Sequence, residues 1–178
     1  MPIPIRILVA LLPLLSTPTL SSASASASLS ESVPAVCGAR ETAIVVDTRT
    51  HQMHLCSAGK IDRTFAVALG MHGVGKQREG DNRTPLGLYG LGPPRASKDF
   101  HVFVPVGYPT REQARMGFTG GAIGIHGPPR GYGTLAQLAM LVARDWTAGC
   151  IAVATDEDID TVAAWVRARD VRGVRLVP

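Results

Sequence analysis

Residues 43–69 read AIVVDTRTHQMHLCSAGKIDRTFAVAL, and two turn signals cut them into three extended runs. Residues 43–47 form a short apolar run rich in β-branched side chains, and residues 51–56 set Met53 and Leu55 among polar neighbours. A third run passes through Thr64 to Leu69. Asp47-Thr48-Arg49-Thr50 and Ser57-Ala58-Gly59-Lys60 supply the residues that reverse a chain. The segment predicts a three-strand meander. Composition agrees, because 19 Gly and 13 Pro with only 5% aromatic residues suit many tight turns and argue against a helical bundle.

Downstream the pattern stays mainly β. Residues 70–85 carry four Gly and the dense turn signal Gly80-Asp81-Asn82-Arg83-Thr84-Pro85, which reads as an exposed loop with Asp81 capping the turn. Strands are expected at 86–91 and 100–106. A short Gly-rich strand at 121–125 delivers His126 and stops at Gly127-Pro128-Pro129. Two helices are expected in the last third. One covers 134–144, with Leu135, Leu138, Leu141 and Val142 on one face. The other is capped by Thr155 or Asp156 and buries Ile159, Val162, Ala163 and Val166. A last strand is expected at 174–177.

The N-terminus reads as an address. Arg6 precedes an apolar run at 7–15, and Ser and Ala alternate over 21–28 in the style of a cleavage site. The expected division is a signal peptide at 1–28, a lead-in at 29–42 and one folded domain at 43–178, exported to the periplasm or cell envelope. The apolar run is shorter than a span requires, so no membrane span is expected after leader removal. The net charge of +4 includes no basic run longer than two residues, so no nucleic-acid partner is expected. His51, His54, His72 and His101 are scattered, and no C-x-x-C or H-x-x-x-H spacing occurs, so neither a metal nor a cofactor is expected. No oligomeric state is assigned.

Export bears on the three cysteines, since thiols outside the cytoplasm tend to pair. Cys37 and Cys56 flank the first hairpin at a separation that suits a disulfide, which leaves Cys150 over. A free Cys is most often a small buried hydrophobe. A catalytic one needs a base or cation, because only the thiolate attacks and an ordinary thiol titrates near 8.5. His126 ends its strand among glycines, and Cys150 follows Gly149, where backbone can approach a carbonyl closely and the amides of Gly149 and Cys150 can face an oxyanion. Spacing alone does not bring the two together.

Residues Ile125-His126-Gly127 followed by Thr147-Ala148-Gly149-Cys150-Ile151 resemble the His-Gly and Ser/Thr-x-Gly-Cys signature of the L,D-transpeptidase catalytic domain (YkuD-like). Gly80-Asp81-Asn82-Arg83-Thr84-Pro85-Leu86-Gly87 resembles that family's Gly-Asp-x-x-Thr-Pro-x-Gly segment, and Tyr108-Pro109 a further marker, all in the family's order. The resemblance implies a mainly β domain with a few helices, a β-sandwich or barrel with a catalytic cleft. It implies acyl transfer on peptidoglycan stem peptides, with Cys150 as nucleophile and His126 as base, and with Gly149, Thr147 and Gly127 around the oxyanion or substrate. Many members have His at the position of Ala148 and Arg or Asn at that of Ala152, which puts substrate recognition and the balance of transfer against hydrolysis in question. Lys76, Arg130 and Arg144 are candidate replacement cations. Asp145 reads as a loop hydrogen-bonder and Trp146 as a lid on the core. A carboxypeptidase or amidase on the same scaffold, or a non-catalytic wall-binding module, are the competing expectations.

Overall fold

A computed structural model of the chain describes residues 36–131 and 144–178. The expected leader and the expected helix at 134–144, except Arg144, lie outside the described residues. β1 (Ala43–Asp47), β2 (Gln52–Ser57) and β3 (Lys60–Ala68) form the meander, each antiparallel to the next. Asp47 makes the first turn as its side chain predicts, accepting from the amides of Arg49 and Thr50 at 2.9 and 3.0 Å. β4 (Gly87–Gly90), β5 (Arg95–Ser97), β6 (His101–Pro105), β7 (Gly124–His126), β8 (Ile151–Val153) and β9 (Gly173–Val177) complete a sheet ordered β4-β9-β1-β2-β3-β8-β7-β6-β5. β3 belongs to both halves. Its residues 60–66 pair with β2, and Val67 and Ala68 pair with Val153 and Ala152 of β8, so the sheet curls about this strand.

α1 (Arg111–Arg115) is a single short turn capped by Thr110, and α2 (Asp156–Ala168) is the longer helix. Thr155 caps α2 in a reciprocal box with Asp158, and Asp156, Glu157 and Asp158 place negative charge where the helix amides leave a positive end. Ile159, Val162, Ala163, Trp165 and Val166 turn inward and join Ile44, Val46, Met53, Leu55, Val104, Ile125 and Ile151 in one core.

The fold class is the expected one. The differences are local. β7 begins only at Gly124, since Ala122 takes a left-handed φ of 52° that ends extended pairing behind it. β5, β8 and α1 were not expected, each being too short to show a period. The second strand starts at Gln52 because His51 has a φ of 56° and belongs to the turn.

Cys37 and Cys56 are joined as a disulfide, with Cα atoms 5.6 Å apart, and with Val45 they form a second small core. Arg175 on β9 reinforces the tie by holding Glu41 at 2.9 Å and the Val36 carbonyl. The bridge closes a sequence separation of 19, which corresponds to about 3 kcal/mol of lost unfolded-state freedom. The paired substitution Cys37→Ser and Cys56→Ser is expected to lower unfolding free energy by about that amount, read from denaturant midpoints. An unchanged midpoint would show that the clamp adds nothing.

Candidate active site

His126 ends β7, which runs parallel to β8 with Ile125 opposite Ile151 and His126 opposite Ala152. One position back from Ile151 lies Cys150, beside Gly124, whose backbone acts on the thiol. Cys150 thus immediately precedes β8, and His126 ends the neighbouring parallel strand. The thiol of Cys150 is free and half-buried. It donates to the carbonyl of Ala122 at 3.6 Å, and among the described hydrogen bonds none joins it to His126.

The imidazole is buried to 1% exposure and closely held. Its Nδ1 lies 2.7 Å from the Gly127 carbonyl, so Nδ1 carries the proton and Nε2 keeps the lone pair. Phe100 stacks on the ring with centroids 3.9 Å apart, and Trp146 meets it edge-on at 5.9 Å. Phe103 lies across the ladder at 6.2 Å, its ring filling the space above Gly124 where any side chain would collide. Burial pushes the imidazole below its ordinary pKa, against the opposing pull of the Gly127 carbonyl. Burial also pushes the Cys150 thiol upward, opposed by the Gly124 backbone and the Lys76 charge. Burial thus favours the neutral form of both groups.

The turn that presents Cys150 is built by Thr147 and Gly149. Thr147 Oγ1 donates to the Cys150 carbonyl at 2.8 Å and accepts from the Gly149 amide at 3.0 Å, so this buried hydroxyl is engaged within the turn. The Gly149 amide is thereby occupied, and the Cys150 amide is the expected oxyanion donor that lies outside this network. Gly149 has a φ of 127°, and a Cβ there would come within 2.5 Å of the Arg83 carbonyl oxygen. Gly127 is buried against the start of α2, 3.0 Å separating a Cβ built there from Ile159, and its carbonyl orients the imidazole.

The three candidate cations fare differently. Arg130 pairs with Asp156 at 2.9 Å on the surface, and Arg144 is exposed. Lys76 is buried, with its ammonium 2.8 Å from Asp81 and 3.1 Å from the Arg78 carbonyl. Asp81 is held far below the usual carboxylate range by the amides of Gln77, Arg78 and Arg83 together with that ammonium, which outweigh its partial burial. The scattered histidines each have a partner: His51 the Asp145 carboxylate, His54 the Thr64 hydroxyl, His72 the Asp81 carbonyl and His101 the Asp160 carboxylate. Asp145 also accepts from the Leu69 amide, and Trp146, expected as a lid on the core, meets the imidazole edge-on instead and is not among the residues packed against the core. Phe100 was missed, because an aromatic residue at a strand end carries no signal for which ring it will face.

The family model of the L,D-transpeptidase catalytic domain (YkuD) matches residues 41–175. A search of curated proteins by sequence finds no match. Among solved structures, the helical cell shape determining protein Pgp2 from Campylobacter jejuni shares 26% identity at a TM-score of 0.58, covering 75% of this chain and 46% of that one. Bdellovibrio bacteriovorus Bd1075 shares 18% identity at a TM-score of 0.52, covering 76% and 47%. The chain spans about half the length of these structures.

Replacing Phe100 by Ala opens the imidazole to water and lets its pKa rise toward the ordinary value of about 6.5. A base works only when unprotonated, so the acid limb of the pH dependence of Cys150 acylation should move to higher pH, and Phe100→Tyr should restore it. An unmoved limb would remove Phe100 from this role.

Proposed function

Because the chain belongs to the L,D-transpeptidase catalytic domain family, we propose that it is an exported cysteine acyltransferase acting on peptidoglycan stem peptides in the cell envelope. The observation that carries this reading is the fixed tautomer of His126. With Nδ1 locked on the Gly127 carbonyl, Nε2 is a proton acceptor on the strand beside the only free thiol among the described residues.

In this reading a side-chain rotation takes the Cys150 thiol from the Ala122 carbonyl toward Nε2. Burial favours the neutral form of both partners, and in this reading His126 removes the proton as sulfur attacks. The sulfur forms a bond to the carbonyl carbon of the third stem residue, and the Cys150 amide donates to the oxyanion. The C–N bond to the terminal D-amino acid then breaks, and His126 returns the proton to the departing amine. An amine from a second stem attacks the thioester, forming a new amide, and the thiol recovers its proton through His126. Water in place of the amine gives hydrolysis on the same scaffold.

The division into a leader at 1–28, a lead-in at 29–42 and a catalytic domain at 43–178 belongs to the same proposal. The disulfide supports it, because such bridges persist in oxidising compartments outside the cytoplasm.

Intact-protein mass spectrometry after exposure to a carbapenem should show one covalent adduct that disappears in Cys150→Ala. His126→Ala should slow its formation by a factor on the order of 10²–10⁴. A folded protein with a free thiol and no adduct would sink the acyl-enzyme reading. With a disaccharide-tetrapeptide as sole substrate, crosslinked dimers are expected; tripeptide without dimers would assign the hydrolytic reaction instead.

A second test concerns the turn. Gly149→Ala forces a side chain into a left-handed backbone and against the Arg83 carbonyl. It should cost on the order of 1–3 kcal/mol in stability and abolish adduct formation, whereas Ala148→Gly, at an exposed neighbour, should retain both.

A further inference from the structure

A lysine is costly to bury, yet Lys76 is only 5% exposed. Its ammonium meets the Asp81 carboxylate at 2.8 Å and the Arg78 carbonyl at 3.1 Å, contacts that use two of its three N–H donors. Apolar residues of similar volume often replace a buried ion pair without loss of stability, so packing alone does not account for this one. Its neighbours give it a second use. The stem of Lys76 packs against Gly120, where a Cβ would come within 3.4 Å of Cε and 3.2 Å of the Glu79 Cα. The Thr119 amide donates to the Gln77 carbonyl, and the Thr119 hydroxyl accepts from the Glu79 amide, both at 3.0 Å. Residues 119–122 are thus laid against the Lys76 loop, and the Ala122 carbonyl at their end receives the Cys150 thiol. Asp81 reaches the other side of that thiol. The same Oδ1 that pairs with Lys76 accepts from the Arg83 amide at 3.1 Å, and the Arg83 carbonyl abuts Gly149.

The pair is also polarised. Burial raises the Cys150 thiol and the Lys76 charge opposes that rise, whereas burial raises the Tyr108 phenol and the Asp81 charge adds to it. The positive end of the pair therefore acts on the sulfur and the negative end on Tyr108. Other charged groups on the surrounding elements do not take its place. Burial favours the neutral form of His126 on β7. Arg78, Glu79 and Arg144 are exposed, and the equally exposed Arg83 turns its guanidinium to the Val74 carbonyl, so solvent screens all four. Asp145, ahead of the turn, is engaged by His51 and the Leu69 amide.

We propose that Lys76 is a positioning residue for Cys150: its stem braces the segment that presents the Ala122 carbonyl, and its ammonium, oriented by Asp81, is the buried cation that steadies negative charge developing at the sulfur. The assignment rests on the acyl-transfer reading for what that sulfur attacks. Lys76 touches neither the peptide nor the proton in transit. It acts through the thiol.

Alkylation of Cys150, the one cysteine outside the disulfide, by iodoacetamide reads the thiolate without any acyl transfer, and intact mass follows it across pH. In Lys76→Met and in Lys76→Gln the half-maximal rate should move to higher pH, and the rate near neutrality should fall by about tenfold or more, the effect of losing a nearby opposite charge. Lys76→Arg should recover most of the loss. Asp81→Asn removes the anion and keeps an acceptor for the loop amides, so it should move the profile to lower pH. A pair that only braced the loop would shift the Lys76 and Asp81 variants in the same direction. That result, or an unmoved profile in folded Lys76→Met and Lys76→Gln, overturns the assignment. Where neither Lys76 variant folds, the direction in Asp81→Asn decides, a shift to higher pH or none counting against it. A protein whose profile moves as expected and yet forms no carbapenem adduct would strike the acyl-enzyme reading and leave the role of Lys76 at the thiol.

Discussion

Gly149 and the carbonyl of Arg83 approach so closely that no side chain fits between them, and the placement of Cys150 follows from that contact. It joins two segments far apart in sequence. The loop on the Arg83 side is held rigid from within: Thr84 is fully buried and accepts from the Gly70 amide, while Asp81 gathers three backbone amides and the Lys76 ammonium. The turn on the Cys150 side is tied to the same loop, through the Thr147 amide on the Leu69 carbonyl, the Met71 amide on the Thr147 carbonyl, and the Asp145 carboxylate on the Leu69 amide. Cys150 emerges where these constraints converge. The turn can carry a half-buried thiol because little of its positioning is left to that side chain.

The imidazole of His126 is positioned by different means. Its hydrogen bond to the Gly127 carbonyl fixes the tautomer, and the aromatic rings on its faces and edge fix the ring plane while excluding water. Exclusion of water works against charge on both members of the pair. It lowers the imidazole and raises the thiol, so burial favours the neutral form of each. Lys76 opposes part of the thiol's shift, but its ammonium is already shared with Asp81, which limits the field it can bring to bear.

Much of this was legible in the sequence because it depends on local rules. Alternating and β-branched runs gave the meander, Thr155 or Asp156 marked the helix start, and the position of Cys37 and Cys56 about a hairpin suited the bridge that forms. The ordered motifs named the residues around the nucleophile turn. Three features escaped for stated physical reasons. Strands of three residues show no period of their own: β8 is held between β3 and β7, and β5 at the sheet edge by β6. Phe100 reaches His126 only through the curl of the sheet. The engagement of Thr147 and Gly149 with each other depends on a backbone angle that residue types permit but do not dictate.

The sheet also divides its tasks. The half built from β4, β9, β1 and β2 carries the disulfide and the Arg175–Glu41 pair. The half built from β8, β7, β6 and β5 carries the thiol, the imidazole and the aromatic stack. The disulfide thus lies away from the thiol and the imidazole, whereas left-handed non-glycine backbone occurs in both halves, at Ala58 between β2 and β3 and at Ala122 before β7, where it bears on the thiol. Ala122 is the clearest case. A left-handed alanine costs about 1–2 kcal/mol, yet its carbonyl is the group that receives the Cys150 thiol. With an extended backbone at Ala122, the chain entering β7 would take a different course and that carbonyl would not meet the sulfur. The same position leads into the short strand that ends at His126. One unfavourable dihedral angle therefore bears on the resting thiol and on the course of the chain toward His126.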